Sequence, residues 1–198
     1  MRQFRRGSRW FGPRDVRAGC RVDPNAVVSF LPVEKDECNM TETRAFQDYY
    51  PDEMSVCYGC GRLNSSGLHV KSYWKGDETI CRFHPRPEHT AIAGFVYGGL
   101  IASVIDCHGT GSAAAAAYRA EGREMGSLPC LRFVTAHLAV DYLKPTPIDA
   151  ALELRGTIKL VRSRKVVIEV EVWSKGELTA RGEVTAVRVP ESMIAPER

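Results

Sequence analysis

Asp106 is the residue of this 198-residue sequence whose type and surroundings best suit chemistry. It closes the segment Tyr97-Gly98-Gly99-Leu100-Ile101-Ala102-Ser103-Val104-Ile105-Asp106, in which Leu100, Ile101, Val104 and Ile105 fall at helical spacing and bury one face. Asp106 lies beyond the first turn, so it does not cap the helix. Ser103 and Ala102 precede it and Thr110 follows it on the same face, all small or hydroxylic, which leaves space in front of the carboxylate. Gly98 and Gly99 open the helix with N–H groups that no side chain screens, and the dipole there favours negative charge. An N–H donor for a developing oxyanion and a carboxylate that attacks, or activates water, make the parts list of acyl transfer without a Ser-His-Asp triad. The competing reading leaves Asp106 exposed or paired with an arginine of a neighbouring strand.

The remaining reactive side chains read as structural. His108 lies about 200° around the helix from Asp106 and reads as a core or interface histidine. His89 sits in a loop beside Arg86 and Glu88 and reads as solvated, whereas His137 shares a polar row with Thr135 and Asp141 on its strand. Cys57 and Cys60 form a C-x-x-C pair, but no second pair at ligand spacing follows. Cys81 and His84 are the nearest further donors, so no metal is expected and the pair reads as a tight turn with buried thiols.

The elements that must position these groups are legible from Ser66 onward. Leu68, Val70, Ser72 and Trp74 alternate with His69, Lys71, Tyr73 and Lys75; Gly76-Asp77 then turns the chain into Thr79 to His84, predicting a hairpin. A helix follows over about 97–120, with Ala113 to Ala117 the strongest formers and Gly122 the stop. Four strands are predicted at about 131–143, 151–161, 165–174 and 178–189, joined by short connections. The order β-β-α-β-β-β-β predicts an α+β fold: a largely antiparallel sheet with the helix on its concave face. Gly98-Gly99 and the alanine run are expected to let sheet and helix approach closely.

The same stretch resembles the hotdog-fold acyl-CoA thioesterases of the phenylacetate-degradation (PaaI-like) and THEM-type group, whose pattern is His-Gly-Gly followed seven residues later by Asp. Here Gly98-Gly99 and Asp106 match it. Cys57-Tyr58-Gly59-Cys60-Gly61 with Asn64 and Gly67-Leu68, Asp141-Tyr142-Leu143-Lys144-Pro145, and Gly176 to Gly182 also resemble members, so the likeness spans about residues 57–189. The resemblance implies a curved antiparallel sheet wrapped around one long central helix and an acyl-CoA substrate. It also implies a homodimer or homotetramer, with Asp106 of one chain facing Gly98 of another. Asp106 is then the catalytic nucleophile or general base and Gly98 the oxyanion donor. Tyr97, Gly99, Ser103 and Thr110 line the substrate, and no cofactor is called for. The basic turn Arg162-Ser163-Arg164-Lys165 is either solvated surface or a holder of coenzyme A phosphates. Tyr97 stands where the family usually has His, and Ala91 where it has Asn. That leaves open a non-catalytic acyl-CoA or lipid-binding relative.

Composition bounds the rest. With 44% hydrophobic and 26% charged residues the chain can bury a core, and one domain is expected. Residues 1–39 carry eight Lys and Arg against five Asp and Glu, which accounts for the whole net charge of +3. The body is therefore balanced and has no basic bias toward nucleic acid or anionic membrane. Residues 1–39 read as a poorly structured basic arm: a nucleic-acid arm, a transit peptide, or, the favoured reading, a tail upstream of a start at Met40. Residues 40–56 read as a lead-in, 57–190 as the domain and 191–198 as a tail. Seven scattered cysteines, an odd number, together with the lack of a secretory core, suggest a cytoplasmic protein. The uncharged run ending at Asp106 is too short to span a bilayer.

Overall fold

The computed structural model describes residues 44–189; the basic arm and the C-terminal tail lie outside the described residues. Six strands form one antiparallel sheet: β1 (Ser72–Lys75), β2 (Glu78–Phe83), β3 (Phe133–Tyr142), β4 (Leu152–Arg162), β5 (Lys165–Ser174) and β6 (Glu177–Arg188). Their spatial order is β1-β2-β4-β5-β6-β3, so β3 crosses over to the far edge. The helix α1 (Gly98–Ala120) packs against β3, β4, β5 and β6. This is the curved sheet around one central helix that the sequence predicts.

Alternation decides which face is covered. Val166, Ile168, Val170 and Val172 of β5 are fully buried, as are Leu152 and Leu154 of β4 and Ala180, Val184 and Ala186 of β6. On α1, Ala113 to Ala117 are all buried beneath this surface. The closest approach of helix and sheet is made elsewhere than at Gly98-Gly99. A Cβ on Gly109 would stand 2.6 Å from the Val184 side chain, and one on Gly182 2.7 Å from Ile105, so each layer seats a branched side chain in the other's glycine. A Cβ on Gly98 would meet only ordinary contact with Tyr142.

The helix stops where Gly122 takes φ 64°. Its N–H donates to the Arg119 carbonyl and that of Arg123 to the Tyr118 carbonyl, the paired bonds of a left-handed glycine cap. The first hairpin is shorter than its alternating text suggests. The N–H groups of Leu68 and Val70 donate to the carbonyls of Tyr58 and Gly59, and His69 takes φ 55°, so this stretch pairs with the cysteine loop before β1 begins. The lead-in residues Phe46 and Gln47 are buried: Phe46 lies edge-on to Trp74 with ring centroids 5.5 Å apart.

Gln47 begins a chain of buried polar contacts through the core. Its amide donates to Ser72 Oγ (3.0 Å) and accepts the Ser72 N–H (2.9 Å). Ser72 Oγ lies 2.9 Å from His108 Nδ1, and Thr79 Oγ1 lies 3.3 Å from Nε2. Thr79 also donates to the Gly156 carbonyl (3.4 Å) and accepts from Ser112 Oγ (2.7 Å). A ring protonated on Nε2, donating to Thr79 and accepting at Nδ1 from Ser72, fits a Thr79 hydroxyl that donates to Gly156. Every member is then satisfied with a neutral ring. His108 is a core histidine, and burial pushes its pKa down to about 4.

Candidate functional site

Asp106 is half-buried on α1. Its Oδ1 accepts a hydrogen bond from Thr135 Oγ1 on β3. Burial raises the carboxyl pKa above its ordinary value; the Thr135 hydroxyl opposes that rise and Cys57 adds to it. No arginine pairs with the carboxylate among the described residues, so the ion-pair reading of Asp106 does not hold.

Thr135 reaches Asp106 because β3 is bulged. The register with β6 shifts between Thr135, opposite Ala186, and His137, opposite Thr185. Ala186 is buried, so Thr135 faces the helix, whereas His137 and Asp141 are exposed on the other side. The three therefore do not form the single polar row that strict alternation suggests. His137 is no partner of the acid. His89 departs from expectation too: only 8% exposed, it stacks on Phe83 at 6.0 Å, and its Nδ1 accepts the Arg86 N–H (3.0 Å).

At the start of α1 the N–H groups of Leu100 and Ile101 turn back to the Tyr97 carbonyl at 3.0 and 3.3 Å. Those of Gly98 and Gly99 have no acceptor one turn behind, and none among the described residues meets them. Tyr142 Oη donates to the Gly98 carbonyl (2.8 Å), fixing this end of the helix to the end of β3. Gly99 meets the Tyr97 side chain. Its Cα lies under the Tyr97 phenol ring, where a Cβ would come within 2.3 Å of ring and hydroxyl. Beside it a shallow pocket of about 260 Å³ is lined by Val96, Gly98, Ile101, Tyr142, Leu143 and Lys144, among others.

Ser103 and Thr110 do flank Asp106 in sequence, but their protons are turned back into the helix. Ser103 Oγ donates to the Gly99 carbonyl (2.8 Å) and Thr110 Oγ1 to that of Asp106 (3.0 Å). Arg162, Ser163, Arg164 and Lys165 form an exposed turn between β4 and β5. The turn lies at the Thr135 end of the sheet, since Lys165 pairs with Val187 and the Arg164 carbonyl accepts from Arg188 (3.0 Å). Asp106 and the basic turn thus share one end, while Tyr97, Gly98 and Gly99 occupy the other. Eight helical steps separate Gly98 from Asp106, about 12 Å at 1.5 Å per residue.

One grouping escaped sequence reasoning. The sulfurs of Cys57, Cys60 and Cys107 all lie within 4.8 Å of one another. Hydrogen bonds from the Cys107 and Cys60 thiols hold the Cys57 thiol well below the usual range. Cys81 takes no part; it is buried in β2, with its thiol pushed up to about 12 by burial.

The fold and the helix motif agree with what the chain is similar to. The sequence model described as "Thioesterase superfamily" matches residues 93–181. A solved thioesterase superfamily protein from Shewanella loihica is 51% identical, with a TM-score of 0.55; the match covers 73% of this chain and 99% of that one. This chain belongs to the thioesterase superfamily. Acyl-coenzyme A thioesterase THEM4 of Xenopus laevis is 29% identical over 108 residues, 54% of this chain and 43% of that protein. Its counterpart in Rattus norvegicus is 29% identical over 140 residues, 69% of this chain and 55% of that protein. The chain spans about half the length of the curated relatives it matches. Among the described residues no helix is long and apolar enough to cross a membrane.

Proposed function

We propose that this protein hydrolyses an acyl-CoA thioester to the free acid and coenzyme A, with Asp106 as nucleophile or general base and the Gly98 N–H as oxyanion donor. The observation that carries the reading is the half-buried Asp106 carboxylate, seated on Thr135 and free of any cationic partner among the described residues, in a member of the thioesterase superfamily. In the general-base route the carboxylate takes a proton from water and the hydroxide adds to the thioester carbonyl. The oxyanion rests on the N–H groups of Gly98 and Gly99, and its collapse expels the coenzyme A thiolate. In the nucleophilic route Asp106 itself adds to the carbonyl, the coenzyme A thiolate leaves to give an anhydride, and water later opens that anhydride to the free acid and the Asp106 carboxylate.

The 12 Å or so between Asp106 and Gly98 is too long for one bound carbonyl to touch both. The site is therefore assembled between two copies of the chain, in a homodimer or homotetramer. The edge of β3 that pairs with no other strand among the described residues, with exposed Val134, Tyr142 and Leu143 along and just beyond it, supports such an interface. Arg162, Arg164 and Lys165, exposed at the Asp106 end, then serve the coenzyme A phosphates, with Ser163 beside them. Tyr97, over Gly99 and mostly exposed, lines the acyl entrance together with that glycine, and Ser103 and Thr110 shape the wall beside the acid. Free thiols at every described cysteine support a cytoplasmic setting.

Thiol release from a panel of short, long and aryl acyl-CoAs tests the proposal. Asp106→Asn should lower turnover by about 10²- to 10⁴-fold with the oligomer and the unfolding curve preserved. Unchanged hydrolysis in that variant overturns the assignment. Binding of acyl-CoA by the wild-type protein with background thiol release would instead favour the non-catalytic reading that Tyr97 and Ala91 suggest.

A further inference from the structure

The three thiols at the junction of the Cys57–Gly61 loop and α1 are spaced as ligands of one ion. Cys57 Sγ and Cys107 Sγ stand 3.9 Å apart, and all three sulfurs lie within 4.8 Å of one another. A tetrahedral zinc ion with Zn–S bonds of ~2.3 Å holds its sulfurs about 3.8 Å apart. A disulfide would need ~2.05 Å. The separations therefore fit three thiolates around a metal and leave all three thiols unbonded to each other.

The backbone is shaped around this spacing. Gly61 N–H donates to the Cys57 carbonyl at 2.8 Å, closing the C-x-x-C loop on itself. Both loop glycines are forced by close approach. A Cβ on Gly59 would fall 2.1 Å from Cys107 Sγ, and one on Gly61 would fall 2.5 Å from the Cys57 nitrogen and the Ser55 carbonyl oxygen. Cys60 and Cys107 are buried and Cys57 is half-buried, so the ring of sulfurs opens on the Cys57 side.

We propose that Cys57, Cys60 and Cys107 bind one zinc-class divalent ion as thiolates, with a solvent molecule in the fourth position on the Cys57 side. The ion fastens the loop at 57–61 to α1 one residue past Asp106. Binding displaces the three thiol protons to solvent and changes no oxidation state. The assignment is independent of thioester hydrolysis.

The test is made on the full chain isolated under reducing conditions. Elemental analysis should find about one zinc per chain. After its removal and replacement by Co²⁺, the sulfur-to-cobalt charge-transfer band and tetrahedral visible bands should appear. Cys107→Ser should abolish the charge-transfer spectrum of the three-sulfur site, while Cys130→Ser, outside the cluster, should keep it. In the wild-type protein the three thiols should resist a thiol reagent until a chelator is added. The proposal is overturned by protein that neither carries zinc nor takes up Co²⁺ while its three thiols react freely. A disulfide between any two of the three in metal-free isolated protein, or equal loss of the cobalt spectrum in Cys130→Ser, overturns it as well. Because the metal content and thiol reactivity are read on the wild-type chain, a Cys107→Ser variant that fails to fold leaves the test intact.

Discussion

Acidification should destabilise this protein through His108, by an amount that follows from its surroundings. Fully buried, with Nδ1 accepting from Ser72 and Nε2 donating to Thr79, the imidazole has no room for a second proton without losing an acceptor. Its pKa falls from 6.5 to about 4 on folding, so the unfolded chain binds the proton more tightly than the folded one. Stability from this group is fully present above pH 6.5 and declines as the pH falls toward 4. Linkage with these two values gives a loss on the order of 1 kcal/mol by pH 5.5 and roughly 3 kcal/mol by pH 4.5. That is a large part of the ~5–15 kcal/mol available to a domain. Urea unfolding at pH 7.5, 6.5, 5.5 and 4.5, run in parallel on wild type and His108→Gln, isolates the effect because every other titrating group is shared. The variant starts less stable at pH 7.5, since Gln cannot replace both ring contacts, and the gap should close by roughly 3 kcal/mol at pH 4.5. Parallel curves over that range would refute the neutral buried ring and the proton assignment built on it.

Two further outcomes bear on the proposed catalysis. Thr135→Val removes the one hydroxyl that stabilises the ionised Asp106, so the carboxyl pKa should rise further. The acidic limb of the kcat/KM profile should then move to higher pH, while a purely structural Thr135 would leave the limb in place and lower the plateau. Replacing Arg162, Arg164 and Lys165 together by Ala should raise KM for an acyl-CoA about tenfold or more while sparing a truncated pantetheine thioester. Equal effects on both substrates would remove the turn from phosphate binding.

The periodic features were legible in the sequence. Period-two alternation in β4 to β6 and the apolar helix text around Asp106 reflect one covered face, which local spacing reports directly. What spacing could not report was where the period slips. The extra residue in β3 puts Thr135 on the helix side and His137 outside, and nothing in Thr135-Ala136-His137 announces a bulge. The cysteine grouping was hidden for another reason. Cys107 stands 50 residues after Cys57, and only the packing of α1 against the loop joins them. A Cys directly after the proposed catalytic Asp, with a C-x-x-C-Gly upstream, was the available signal. The role of Gly99 was likewise invisible, because it depends on the rotamer of Tyr97.

The slip in β3 has a further consequence for the helix it braces. Thr135 and Tyr142 are an odd number of positions apart, so on an unbroken ribbon they would point in opposite directions. With the surplus residue both hydroxyls reach α1, one at the Asp106 carboxylate and the other at the Gly98 carbonyl. The strand works as a caliper whose two jaws grip the helix near its acid and at its tip, and the surplus residue sets the jaws facing the same way. Regular pairing of the whole strand with β6 would swing one jaw outward whichever half kept its register, whereas excising Ala136 would leave the two hydroxyls six positions apart and both still facing α1.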